Sequence, residues 1–182
     1  MRSKWIRVAS LLFMTMLLIA GSDSGIAKIN FKGRGGLNSR KAISSAYHRL
    51  PERVRKVTVN LVQYSGDEWE IAKLLGGPII GLYYSGDKTI YLLRDSGELW
   101  RFVFLHEMGH HYWFNGMTDD EKTAWTIYWL THLEDMPRDY ARTNPVEGWA
   151  ETFAVTYSKK FIPKWIHHPS KETIQEVITL TH

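Results

Sequence analysis

The chain has 182 residues, with eight Trp, nine Tyr, no Cys and a formal net charge of +4. That length buries a single core without disulfides or a metal to hold it together, and the lack of Cys excludes disulfides, thiolate metal sites and Cys-nucleophile chemistry, so any metal must be held by His, Asp or Glu. The Lys and Arg residues are scattered, with no dense basic block and no stacking motif, which argues against a nucleic-acid partner. The aromatic content suits a core and, beside it, a groove that grips extended peptide or carbohydrate.

Residues 1–27 read as an export signal. Arg2, Lys4 and Arg7 precede the apolar run from Val8 to Ala20, and small residues follow at Gly21, Ser22, Ser24, Gly25 and Ala27. Cleavage after Ala27 is expected, with a cut near Ala20 as the alternative. The apolar run is shorter than the ~20 residues that span a bilayer, which favours removal over a retained anchor. Loss of three basic residues and Asp23 leaves a mature chain, residues 28–182, with a charge of about +2. It is expected to be one secreted or surface-associated domain, a monomer without stable membrane association.

After a Gly-rich lead-in (Gly33, Gly35, Gly36), the spacing of Ala42, Ile43, Ala46, Tyr47 and Leu50 predicts an amphipathic helix from Ser39, stopped by Pro51. Val57, Val59 and Leu61 alternate with polar residues and predict a half-buried strand. A short helix is expected from Asp67 to Leu75, ended by Gly76 and Gly77. Ile79 to Tyr84 and Thr89 to Leu93 flank the turn-forming Ser85-Gly86-Asp87-Lys88 and predict a hairpin. Such a strand pair either offers an edge to which a peptide adds as another strand, or is a covered structural edge.

Ser96 is a candidate cap for a helix carrying Leu99, Phe102, Val103, His106 and His110, with Gly116 beyond its end. A capping box at Thr118 with Asp119, Asp120 and Glu121 opens the next helix, which runs through Trp125, Trp129 and His132 and stops before Pro137. Asn144-Pro145, a cap followed by Pro at the first helical position, opens a helix to about Ser158. A last packing helix is expected from Ser170 to Thr181. The pattern as a whole is α+β, with a small mixed sheet or hairpin packed on the His106–His110 helix and a helical C-terminal half.

The chemistry concentrates in His106-Glu107-Met108-Gly109-His110. Residues i and i+4 share one face of a helix, so both imidazoles reach one Zn²⁺, and Glu107 stands as a general base for water. A catalytic zinc takes three protein ligands, so one more is needed; Glu147 and Glu151, one turn apart on a later helix, are the leading candidates. Glu147 also stands three residues after the Asn144 cap, where a Glu closes a capping box, and spacing alone leaves both readings open. His111 points about 100° away from the motif's face and is expected near the ligands or on the surface rather than as a ligand. His132, His167 and His168 lack ligand spacing with any neighbour. Trp100, Trp113, Trp125, Trp129 and Trp149 are assigned to the core, with one or two of them available to line a cleft.

These residues, followed by Tyr140-Ala141-Arg142-Thr143-Asn144-Pro145-Val146-Glu147-Gly148-Trp149-Ala150-Glu151-Thr152-Phe153, resemble the catalytic domain of anthrax lethal factor and its small secreted relatives, the Pro-Pro endopeptidases. The resemblance covers most of the mature chain, and the seven-residue spacing from Tyr140 to Glu147 with Asn between them is its most specific part. It implies a zincin-like metallopeptidase fold with one Zn²⁺ per chain, in which His106, His110 and Glu147 are metal ligands, Glu107 is the general base, Glu151 supports a ligand from behind, and Tyr140 hydrogen-bonds the oxyanion. The implied partner is a peptide or protein substrate, with proline-rich segments suggested by the Pro-Pro endopeptidases. Val146, before the expected ligand, departs from the family, and the substrate-gripping residues do not map onto this chain. Two further expectations stand beside this one: a non-catalytic binding protein on a zincin scaffold, and a zinc amidase acting on cell-wall peptides.

Overall fold

The computed structural model describes residues 29–32, 37–64, 80–93, 99–158 and 162–182. The expected export signal, the expected helix from Asp67 to Leu75 and the candidate cap Ser96 lie outside them. The described elements are β1 (Ile29–Lys32), α1 (Leu37–His48), α2 (Glu52–Arg55), β2 (Val59–Tyr64), β3 (Gly81–Tyr84), β4 (Thr89–Leu93), α3 (Trp100–Asn115), α4 (Asp119–Thr131), α5 (Pro145–Ser158) and α6 (Lys171–Thr181), with 3₁₀ turns at Leu133–Asp135 and Asp139–Arg142. Among the described residues no helix is long and apolar enough to cross a membrane.

The four strands form one mixed sheet in the order β1-β2-β4-β3. β2 runs parallel to β1 and to β4, with Leu61 opposite Phe31 and Ile90, while β3 and β4 pair antiparallel, Tyr84 opposite Thr89. The expected alternation in β2 holds with a shifted start: Val59, Leu61 and Gln63 are buried, whereas Val57 precedes the strand. The hairpin turn at Ser85–Lys88 is as expected. Lys88 takes a left-handed φ of 55°, and the turn is held by Asn60, whose N–H donates to the Lys88 carbonyl and whose Nδ2 donates to that of Asp87, each at 3.0 Å. The hairpin's outer strand, β3, forms one edge of the described sheet, and α3 packs across β3 and β4.

The helices start where local chemistry satisfies their first N–H groups. Thr118 and Glu121 complete the expected capping box on α4, Asn144 Oδ1 accepts from the N–H groups of Val146 and Glu147 at 3.0 and 2.9 Å, and Ser170 accepts from Thr173. α1 starts at Leu37, two residues before the expected Ser39, and ends at His48; Pro51 stands before α2 rather than at the stop itself. At the start of α3 the cap position is Leu99, which makes no side-chain cap bond.

α3 is buried around most of its circumference, and its largest partner is α5. The two cross where Gly109 meets Ala150: a Cβ on Gly109 would lie 2.8 Å from Ala150 Cα. Only a residue without a side chain allows that approach, and it draws the His pair of α3 up to the Glu pair of α5. Trp113, Trp125, Trp129 and Trp149 are buried as expected.

Candidate metal centre and its surroundings

His106, on the second turn of α3, and His110, one turn later, direct their Nε2 atoms to within 3.0 Å of each other. Glu147, in the first turn of α5, brings Oε2 to 3.4 Å from His106 Nε2 and 3.3 Å from His110 Nε2. Glu147 Oε2 is buried and has no hydrogen-bond partner. The Asn144 cap accepts from backbone donors alone, and the Glu147 carboxylate faces the imidazoles rather than the cap. Lone pairs converging in a buried spot repel one another unless a proton or a metal cation sits among them. The His106–His110–Glu147 group could hold a metal ion.

Glu151, one turn beyond Glu147, has no solvent exposure. Its Oε1 lies 3.3 Å from His106 Nδ1, close enough for an ion-pair contact but not aligned as a hydrogen bond, and it also touches Arg138 Nη2. Burial alone would push the His106 imidazole down, but the carboxylates of Glu147 and Glu151 outweigh it and hold it at about 10 in the metal-free protein. The same contacts act in reverse on the carboxylates. Burial works to raise both, yet the two imidazoles hold Glu147 well below the usual carboxylate range, and His106 with Arg138 keep Glu151 low.

Glu107 faces a pocket of about 350 Å³ whose lining also includes His106, Tyr140, Arg138 and the apolar Phe102 and Val103. Glu107 is 5% exposed, and burial pushes its carboxyl up, against the pull of His106, His110 and a hydrogen bond from the Tyr83 backbone. Gly81 of β3 lies directly on it, for a Cβ there would come within 2.7 Å of Glu107 Oε1. Tyr140, in the 3₁₀ turn before α5, is 45% exposed, with its ring 6.2 Å from that of His106. Burial and the nearby charge of Glu147 push its phenol up, so that it remains a proton donor at neutral pH. All six residues singled out from the sequence (Glu107, Tyr140, His106, His110, Glu147 and Glu151) thus meet at one spot.

His111 is not at the surface, one of the two locations open to it from sequence. It is fully buried, its Nδ1 3.2 Å from Tyr83 Oη and its Nε2 3.2 Å from the Val57 carbonyl. Burial pushes it down to about 4. Two residues at the site escaped the sequence reading. Arg138 and Trp165 both line the pocket, and Trp165 is 57% exposed. The guanidinium carbon of Arg138 lies 5.0 Å from the Tyr140 ring centre and 4.9 Å from that of Trp165. An Arg two residues before the motif Tyr was the available signal; the approach of Trp165, from a segment after α5, had none. No protein-family model matches the chain, and no curated protein matches it.

Proposed function

We propose that this protein is a secreted zinc metalloendopeptidase that cleaves extended peptide segments of extracellular or surface proteins. The observation that carries the reading is the triangle of His106 Nε2, His110 Nε2 and Glu147 Oε2, with edges of 3.0, 3.3 and 3.4 Å. A tetrahedral zinc with bonds of ~2.0–2.1 Å has ligand-to-ligand edges of about 3.3–3.4 Å, and a two-His, one-carboxylate set leaves its fourth position open. The zincin-like identity of the fold rests on this ligand set, on the helix pair that carries it and on the resemblance of the two motifs to the lethal factor group.

When bound, Zn²⁺ supplies Lewis-acid polarisation of water and of the scissile carbonyl. Glu107, raised by burial towards the working pH, takes the proton from the attacking water and returns it to the leaving amine. The Tyr140 phenol donates a hydrogen bond where negative charge develops on the carbonyl oxygen. Gly81 and Ile80 bring the edge strand β3 to the pocket, which supports an extended substrate added as a further strand. Action outside the cell rests on the signal-like residues 1–27.

The test is a peptide library read by mass spectrometry with zinc present, together with the metal content of the purified protein. About one zinc per chain and chelator-sensitive cleavage are expected. Glu107→Gln should keep the metal and lose cleavage; cleavage by that variant at the wild-type rate refutes the mechanism, and a library left intact by the wild type points instead to a binding protein.

A further inference from the structure

We propose that Arg138 is a positioning residue of the metal centre, holding Glu151 behind His106 and Tyr140 beside it in a single arrangement. This rests on the reading of His106, His110 and Glu147 as zinc ligands. A carboxylate behind a ligand imidazole fixes the ring and its tautomer, with the proton on Nδ1 and the lone pair of Nε2 free for the metal. Glu151 stands in that position, 3.3 Å from His106 Nδ1. Metal binding, however, requires a neutral imidazole, so His106 cannot itself neutralise the fully buried carboxylate. Arg138 supplies the missing charge. Its guanidinium is permanently cationic, and Nη2 reaches the same Glu151 Oε1 that faces His106.

The other faces of Arg138 explain how it is held. Its guanidinium carbon lies over the rings of both Tyr140 and Trp165, at 5.0 and 4.9 Å, contacts that favour guanidinium over ammonium. The segment bearing Trp165 is tied to the neighbouring residue, because the His167 N–H donates to the Pro137 carbonyl at 2.9 Å. One side chain therefore joins the carboxylate behind a ligand to the phenol expected to meet the oxyanion. Within the described residues, no other Lys or Arg makes an ion pair with Glu151.

Zinc affinity, measured by competition with a chromogenic chelator, tests this without turnover. Arg138→Gln and Glu151→Gln should each weaken zinc by about 10–100-fold, while Arg138→Lys, which keeps a cation for Glu151 but not the guanidinium's ring contacts, should weaken it less than Arg138→Gln. In the Glu151→Gln background, Arg138→Gln should cost nothing more, since the two act in series. That double variant leaves no buried carboxylate unpaired and decides the question if Arg138→Gln alone does not fold. Wild-type zinc affinity in Arg138→Gln, or a further tenfold loss in the double variant, overturns the proposal. Failure of the wild type to bind zinc overturns both this inference and the proposed function, whereas zinc binding without peptide cleavage overturns the proposed function alone.

Discussion

Gly81→Ala is the sharpest perturbation of the proposed base that leaves every proposed metal ligand untouched. An added Cβ would lie 2.3 Å from Val103 Cγ1 and 2.7 Å from Glu107 Oε1. Ordinary carbon–carbon contact needs ~3.5–4.0 Å, so Val103 and β3 must separate by about 1.2–1.7 Å, and the Glu107 carboxylate must yield as well. Val103 packs against the core, and overpacking of this kind costs about 1–3 kcal/mol of stability. A misplacement of ~1 Å at a reacting group costs about 100-fold in rate. Gly81→Ala should therefore lose about two orders of magnitude in kcat/KM on the best library peptide while zinc content stays at the wild-type level. Gly86→Ala is the control. Its Cβ would meet the Tyr84 ring at 2.9 Å, but that ring is 57% exposed and can swing aside. Activity within about threefold of wild type in Gly81→Ala, or an equal loss in both variants, would refute the steric argument.

Gly109→Ala should both destabilise and demetallate, because its Cβ would stand 2.8 Å from the Ala150 backbone and the crossing helices can relieve that only by moving the His pair away from the Glu pair. A loss of about 1–3 kcal/mol in urea unfolding is expected, with weaker zinc in chelator titration; unchanged zinc affinity would contradict it. Tyr140→Phe should lower kcat by about 100–1,000-fold with KM and zinc content unchanged, and an effect confined to KM would remove Tyr140 from the mechanism. His111 sets an acid limit: burial lowers it from 6.5 to about 4, so between those values the unfolded chain binds a proton that the native one refuses. Its contribution is fully present above pH 6.5 and lost as pH falls towards 4, on the order of 3 kcal/mol in all; the stability gap between wild type and His111→Gln should shrink across that window, and a constant gap would sink the assignment.

The parts of the fold that were legible in the sequence are those governed by neighbours in the chain. Thr118 with Glu121, Asn144 with Pro145, and Ser170 each open a helix as read, and the turn from Ser85 to Lys88 joins two strands as read. β1 and α2, four residues each, are too short to carry a period and were not anticipated. The parallel pairing of β2 with β1 and β4 was equally hidden, since alternation marks a strand and its buried face but names no partner. The site divides along the same line. His106 and His110 follow from helical spacing, whereas spacing leaves Glu147 with two readings, and only the packing of α5 on α3 turns its carboxylate to the imidazoles. For His111 helical spacing is compatible both with the surroundings of the His pair and with the surface, and its burial depends on Tyr83 and Val57, which come from elsewhere in the chain.

The buried tryptophans connect the two kinds of information. A buried indole must donate its N–H to something, and here three of them donate to backbone carbonyls around the site. Trp149 donates to Gly109 at 3.0 Å, Trp125 to Pro145 and Trp129 to Ala141, each at 2.9 Å. The first locks α5 onto the middle of the His-bearing motif. The other two, from α4, grip the chain just after Tyr140 and just before Glu147, and the Trp129 ring lies so close that a Cβ on Gly148 would stand 2.4 Å from it. The segment that delivers both the Tyr140 phenol and the Glu147 carboxylate is thus clamped from two sides by groups whose alternative is an unsatisfied donor, a cost of about 1–3 kcal/mol each. From composition the aromatic excess points to a core and a groove; its geometry adds a third use, as the rigid frame that keeps the Tyr140 phenol and the Glu147 carboxylate in register with the imidazoles of α3.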